Sequence, residues 1–167
     1  MIKTFNSLLV TMFGLGKIKF MPGTFGSLAT TIILFYLFHF LKASSNIILL
    51  GLIIIFIYSF YAVSTYIEDT KNKDPGEIII DEFLGQSIPI YLYEISHGTS
   101  KESSEAIIFY ILFFILFRYF DIMKPFPVNF FDKNFKNSFG VIMDDICAGL
   151  YVVLTVVCFM VIKSYIL

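Results

Sequence analysis

Three stretches of this sequence run uncharged for 17 residues or more: Phe20 to Leu41, Ala43 to Ile67 and Ile146 to Ile162. A helix rises about 1.5 Å per residue, so about 20 apolar residues cross a hydrocarbon core of about 30 Å. Two further apolar runs are shorter. Phe83 to Tyr93 is interrupted by Pro89, and Ala106 to Phe117 continues past Arg118 to Met123. These two need tilt, local thinning or packing inside a bundle to span. The expected fold class is all-α: a helical-bundle integral membrane protein with about five apolar segments, in one domain over residues 1–167.

Composition agrees. Only 15% of the 167 residues are charged, against about 25% in soluble domains, and the mean hydropathy is +0.83. A net charge of -1 gives no case for nucleic acid as a partner, since that calls for a basic stripe. Cys147 and Cys158 lie in one apolar run, about 16 Å apart by helical rise. They cannot bond to each other and read as buried, inert thiols. No small-residue cleavage site follows a short apolar core near the N-terminus, so no signal peptide is expected.

Five crossings with a cytoplasmic N-terminus put residues 1–19, 68–82 and 118–145 inside. Those regions hold nine of the twelve basic residues: Lys3, Lys17, Lys19, Lys71, Lys73, Arg118, Lys124, Lys133 and Lys136. This obeys the positive-inside rule. The same regions hold ten of the thirteen acids, leaving Glu94, Glu102 and Glu105 outside. Carboxylates contribute little to topology, and at the edge of an apolar helix they are costly unless something positive holds them. A divalent cation satisfies several at once. Asp74, Glu77, Asp81, Glu82, Asp121, Asp144 and Asp145 all stand where apolar segments begin or end.

Four polar stretches share this face. Gly14-Leu15-Gly16-Lys17 precedes Met21-Pro22-Gly23-Thr24-Phe25-Gly26-Ser27. Proline and glycine make the turn, Thr24 or Ser27 is placed to cap the helix that follows, and its free N–H groups offer a phosphate seat. No Walker A or dinucleotide fingerprint is present. In the second stretch Glu77, Asp81 and Gly85 fall at helical spacing, and in the fourth Asp145 precedes Gly149 by the same interval. Both patterns place a pair of acids at the opening of an apolar helix with a glycine one turn deeper. There the acids suit the positive helix end, and glycine admits a neighbouring backbone. In the third, Arg118, Asp121 and Lys124 are spaced by threes before Pro125 and Pro127. Each stretch also has a plain structural reading as caps, packing glycines and a salt bridge. His39 and His97, on the opposite side, read as structural or solvated.

Taken in order, Pro22-Gly23-Thr24-Phe25-Gly26-Ser27, Asp81-Glu82-x-x-Gly85, Phe117-Arg118-x-Phe120-Asp121-Ile122-x-Lys124-Pro125 and Met143-Asp144-Asp145-x-x-Ala148-Gly149 resemble the phosphatidylglycerophosphatase A family from about Gly14 to Gly149. The chain departs from the family pattern at Lys19, Lys133 and Asn137-Ser138, none of them in the acid clusters. The resemblance implies a bacterial Mg²⁺-dependent lipid phosphatase of the cytoplasmic membrane that converts phosphatidylglycerophosphate to phosphatidylglycerol. With the acid clusters it assigns Asp81, Glu82, Asp121, Asp144 and Asp145 to Mg²⁺. Asp81, Glu82, Asp121 and Asp145 are the catalytic candidates. Lys17, Gly23, Thr24, Gly26, Ser27, Arg118 and Lys124 are assigned to the substrate phosphate. A metal-activated water is the preferred nucleophile over an aspartate, because the Asp-x-Asp of aspartyl-phosphate enzymes is absent. The rival readings are a non-enzymatic cation transporter or scaffold and a phospholipid phosphotransferase, whose Asp-Gly-x-x-Ala-Arg signature this chain lacks.

Overall fold

A computed structural model describes residues 2–69, 76–97 and 103–166. Lys71, Lys73, Asp74, Lys101 and Glu102 lie outside the described residues, as do the side chains of Asp69, His97 and Ser103. The described residues form seven α-helices: α1 (Ile2–Val10), α2 (Pro22–Phe35), α3 (Ser45–Asp69), α4 (Ile80–His97), α5 (Ser103–Met123), α6 (Val128–Asn134) and α7 (Ser138–Ile166). A 3-10 turn, Leu15–Lys17, precedes α2, and a π-helical turn, Tyr36–Phe40, extends it. Four helical stretches are long and apolar enough to cross a membrane: Pro22–Phe40, Ser45–Glu68, Ser104–Met123 and Ser138–Ile166.

The third expected segment, α4, is the bundle's central post. It packs against α2, α3, α5 and α7, which explains why it is less apolar than the others. With protein on most sides it carries Gln86, Ser87 and Glu94 in buried positions, each with a partner. Gln86 Nε2 donates to Thr31 Oγ1 (3.2 Å), and Ser87 Oγ donates to the Phe83 carbonyl (2.6 Å). At the far end, Glu94 Oε1 accepts from Tyr110 Oη (2.9 Å) and pairs with His39 Nε2 (3.1 Å). The His39 ring stacks on Phe35 at 4.5 Å. His39 therefore has the structural role its surroundings predict, and His97 is the last residue of α4.

Two apolar clusters flank this post. Leu34, Ile90, Tyr110, Phe117, Val128 and Val152 join α2, α4, α5, α6 and α7. Val10, Ala62, Val63, Ile80, Leu84 and Ile142 tie α1 and α3 to α4 and α7. Exposed Ile, Leu and Phe side chains cover the outside, as a lipid-facing surface requires. Cys147 is buried as expected, but Cys158 is exposed on α7, because α7 leaves the bundle toward its C-terminal end.

Some helix starts differ from expectation. Met21, at φ 49°, precedes Pro22 at the first helical position of α2, and no side chain caps that end. Pro22 shifts Thr24 inward past the capping position. Ser27 Oγ instead donates to the Gly23 carbonyl (2.9 Å). Glu77 does not share a helical face with Asp81, because α4 begins only at Ile80. Glu77 is exposed and accepts from Tyr66 Oη (2.7 Å). Asp144 and Asp145 do not open α7 either: it starts at Ser138 and has no acid in its first turn. Their setting is therefore packing, not the helix dipole.

Candidate active site

Glycine sets the distance between the two acid-bearing helices. A Cβ on Gly85 would stand 2.4 Å from the Asp145 carbonyl oxygen, and one on Gly149 would stand 2.3 Å from the Gly85 carbonyl oxygen. The α4 and α7 backbones therefore touch where only glycine fits. Asp145 on α7 belongs to this contact through its carbonyl, and Asp81 on α4 stands one turn before Gly85. Carboxylate oxygens of Asp81, Glu82 and Asp145 come within 4.8 Å of one another. Gly23, at the start of α2, makes room for the third acid, since a Cβ there would lie 2.1 Å from Glu82 Oε1 and 3.1 Å from Arg118 Nη1.

These groups line a cavity of about 390 Å³. Its walls come from the start of α2, the loop before α4, the end of α5, α6 and the first turns of α7. Among the described residues, six carboxylates line it: Asp81, Glu82, Asp121, Asp132, Asp144 and Asp145. Three cations among the described residues do so: Arg118, Lys124 and Lys136. Two of the cations are engaged with other acids. Arg118 Nη1 binds Asp121 Oδ2 at 2.5 Å. Lys124 Nζ binds Asp132 Oδ1 at 2.8 Å and Asp144 Oδ2 at 3.1 Å. Lys124 stands just past α5 at φ 44° before Pro125, a left-handed conformation that costs about 1–2 kcal/mol and turns its ammonium toward α6 and α7. Burial pulls the Lys124 ammonium down, but Asp132 and Asp144 outweigh it and hold its pKa above the ordinary lysine value. Burial likewise pushes Asp132 up, and Lys124, helped by Lys136 and Lys133, outweighs that and keeps it below the usual carboxylate range.

Among the described residues, no salt bridge holds Asp81, Glu82 or Asp145. Asp145 Oδ1 and Glu82 Oε2 are buried without hydrogen-bond partners among the described residues. Carboxylates this close cannot all ionise in a water-poor site unless a cation joins them. Converging hard oxygen donors with unused lone pairs fit a divalent ion of the Mg²⁺ type.

Of the five expected metal ligands, Asp81, Glu82 and Asp145 converge, while Asp121 and Asp144 line the same cavity paired to Arg118 and Lys124. Of the expected phosphate residues, Gly23, Arg118 and Lys124 line it and Lys17, Thr24, Gly26 and Ser27 do not. Lys17 is exposed in the 3-10 turn. Gly26 packs on Ile79, and Thr24 Oγ1 is buried without a partner. Asp132 and Lys136 belong to the cavity and were not expected there. Their spacing of four on a Phe-rich segment reads from sequence as an ordinary solvated pair.

The phosphatidylglycerophosphatase A family profile matches residues 8–160. The chain belongs to the phosphatidylglycerophosphatase A family. It is 36% identical over 149 residues to phosphatidylglycerophosphatase A of Haemophilus influenzae, covering 89% of this chain and 85% of that protein. It is 33% identical over 144 residues to the Escherichia coli K12 protein of the same name, covering 85% and 76%. A Bacteroides thetaiotaomicron relative, 32% identical over 145 residues and covering 86% of each chain, carries a name that proposes phosphatidylinositol-3-phosphatase activity. No solved structure matches the chain significantly. The stretch matched by the phosphatidylglycerophosphatase A profile includes every acid that lines the cavity.

Proposed function

We propose that this chain is a Mg²⁺-dependent phosphatase of the bacterial cytoplasmic membrane, with its cavity on the cytoplasmic side. Its substrate is phosphatidylglycerophosphate, whose terminal phosphate it removes to give phosphatidylglycerol. The observation that carries this reading is the meeting of Asp81, Glu82 and Asp145 in a cavity at the polar end of an apolar bundle. A transporter would carry its charges near the middle of the membrane.

Asp81, Glu82 and Asp145 would hold the ion, with Asp121 and Asp144 beside it. When bound, Mg²⁺ neutralises phosphate charge and acidifies water. The protein's own groups do the rest. Arg118 and Lys124 bind the phosphoryl oxygens and stabilise the charge that spreads over them in the transition state. Each is aimed by the carboxylate it already holds, and Arg118 Nε keeps an uncommitted donor. Water attacks phosphorus in line as the bond to the lipid oxygen breaks. A cluster carboxylate accepts the water proton and passes it on to the departing alkoxide, which becomes the headgroup hydroxyl and leaves the carboxylate as it began.

Phosphate release from phosphatidylglycerophosphate, measured with Mg²⁺ and again after chelation, tests the proposal. Release that needs Mg²⁺ is expected, and none under either condition sinks it. The Bacteroides relative makes phosphatidylinositol 3-phosphate the comparison substrate, and faster release from it would reassign the headgroup. Capture of a phospho-aspartate would replace water as the nucleophile.

A further inference from the structure

The cavity is not walled by polar groups alone. Met21 and Ile122 also line it, and they are 48% and 64% exposed. The other aliphatic lining residues differ, Ile78 being buried and Val141 half-buried. Met21 and Ile122 stand on adjoining walls, because the start of α2 meets the end of α5 where Gly23 abuts Arg118.

Each of the two residues ends a stripe of exposed apolar side chains at helical spacing. On α2 the stripe runs Met21, Phe25, Leu28, Ile32 and Tyr36. On α5 it runs Ile122, Tyr119, Ile115, Ile111 and Ile108. At 1.5 Å per residue the α2 stripe covers about 22 Å and the α5 stripe about 21 Å. One leaflet's hydrocarbon is about 15 Å deep. Both stripes therefore reach from the cavity through the depth of one leaflet.

We propose that the cavity opens sideways into the bilayer between Met21 and Ile122, and that the diacylglycerol part of the phospholipid lies along these two stripes. The phosphate then enters the acid-lined cavity without the acyl chains leaving hydrocarbon. This inference rests on the phosphatase reading and adds to it a route of entry and two residues that select for acylated substrate. A water-facing mouth, marked by exposed Lys136, remains for release of inorganic phosphate.

The test is Met21→Asn and Ile122→Asn in the full-length protein in lipid nanodiscs, which places an amide in the apolar lips without adding charge to the acid cluster. Phosphate release is followed from dipalmitoyl phosphatidylglycerophosphate and from its deacylated, water-soluble counterpart. The expected result is a loss of about tenfold in kcat/KM for the dipalmitoyl lipid, carried by KM, with the deacylated compound changed less than about twofold. Retained turnover of the deacylated compound also shows that the variant is folded. Met21→Leu and Ile122→Leu should restore the dipalmitoyl rate. Equal losses on both substrates, or no loss on the lipid, overturn the lateral entrance while leaving the phosphatase intact. A native protein that releases phosphate from neither substrate overturns both.

Discussion

Helix α4 buries a carboxylate near each end, and the two are handled in opposite ways. Asp81 and Glu94 are each 8% exposed and lie about 20 Å apart along the helix, so burial does not separate them. Their partners do. Glu94 is met by a tyrosine hydroxyl and an imidazole from two neighbouring helical stretches. Asp81 is met by two more carboxylates, and two of the oxygens in that group have no donor among the described residues. A satisfied buried acid locks helices together, whereas an unsatisfied group of acids waits for a cation. The comparison teaches that the count of donors around a buried carboxylate, not its depth, distinguishes a site from a strut.

The largest expected effect falls at the inner end. Asp81→Asn and Asp145→Asn should each lower phosphate release by about 100-fold or more, with thermal unfolding in detergent near the native temperature. The mirror-image change, Glu94→Gln, should leave release within about twofold and lower stability by roughly 1–3 kcal/mol. A Glu94 variant that folds normally and loses activity would erase the distinction between the two ends. Next in size, Gly85→Ala and Gly149→Ala should each destabilise by about 1–3 kcal/mol and also cost activity, because a methyl there meets backbone. Denaturation and assay on one preparation read both effects. Gly23→Ala should be milder for folding, since its methyl meets the flexible end of Glu82. A loss of activity of about tenfold with little change in unfolding temperature is expected. The smallest change is Tyr110→Phe, which removes one hydrogen bond at the outer end and should cost about 1 kcal/mol with release unaffected.

Much of this was legible from the residues. Uncharged runs of spanning length announced the apolar helices, and the glycines four residues after Asp81 and Asp145 announced that some neighbouring backbone comes close at each, without saying which. The structure adds the reason that approach is so close, namely backbone-to-backbone contact at Gly85 and Gly149. Other features were hidden. Where helices begin is decided by tertiary packing as much as by local chemistry, so α7 starts at Ser138, well before its acids, and α4 starts after Glu77. The third motif's spacing by threes suggested one cluster around Asp121. The left-handed turn at Lys124 instead sends that lysine to Asp132 and Asp144, a pairing no local spacing encodes. Asp132 and Lys136 join the cavity only through the α6–α7 corner, where Gly140 fits tightly against Phe135.

The glycine contact between α4 and α7 has a mechanical consequence. Because Asp145 supplies a carbonyl to this contact and Asp81 lies one turn from Gly85, both sit within about 6 Å of the fulcrum, whereas Ile166 at the end of α7 lies about 26 Å from Gly149. A swing of about 10° would carry that terminus about 4 Å but the acid-bearing backbone only about 1 Å. Bilayers of differing thickness can thus tilt the long arm of α7 while the spacing of its working oxygens is nearly preserved.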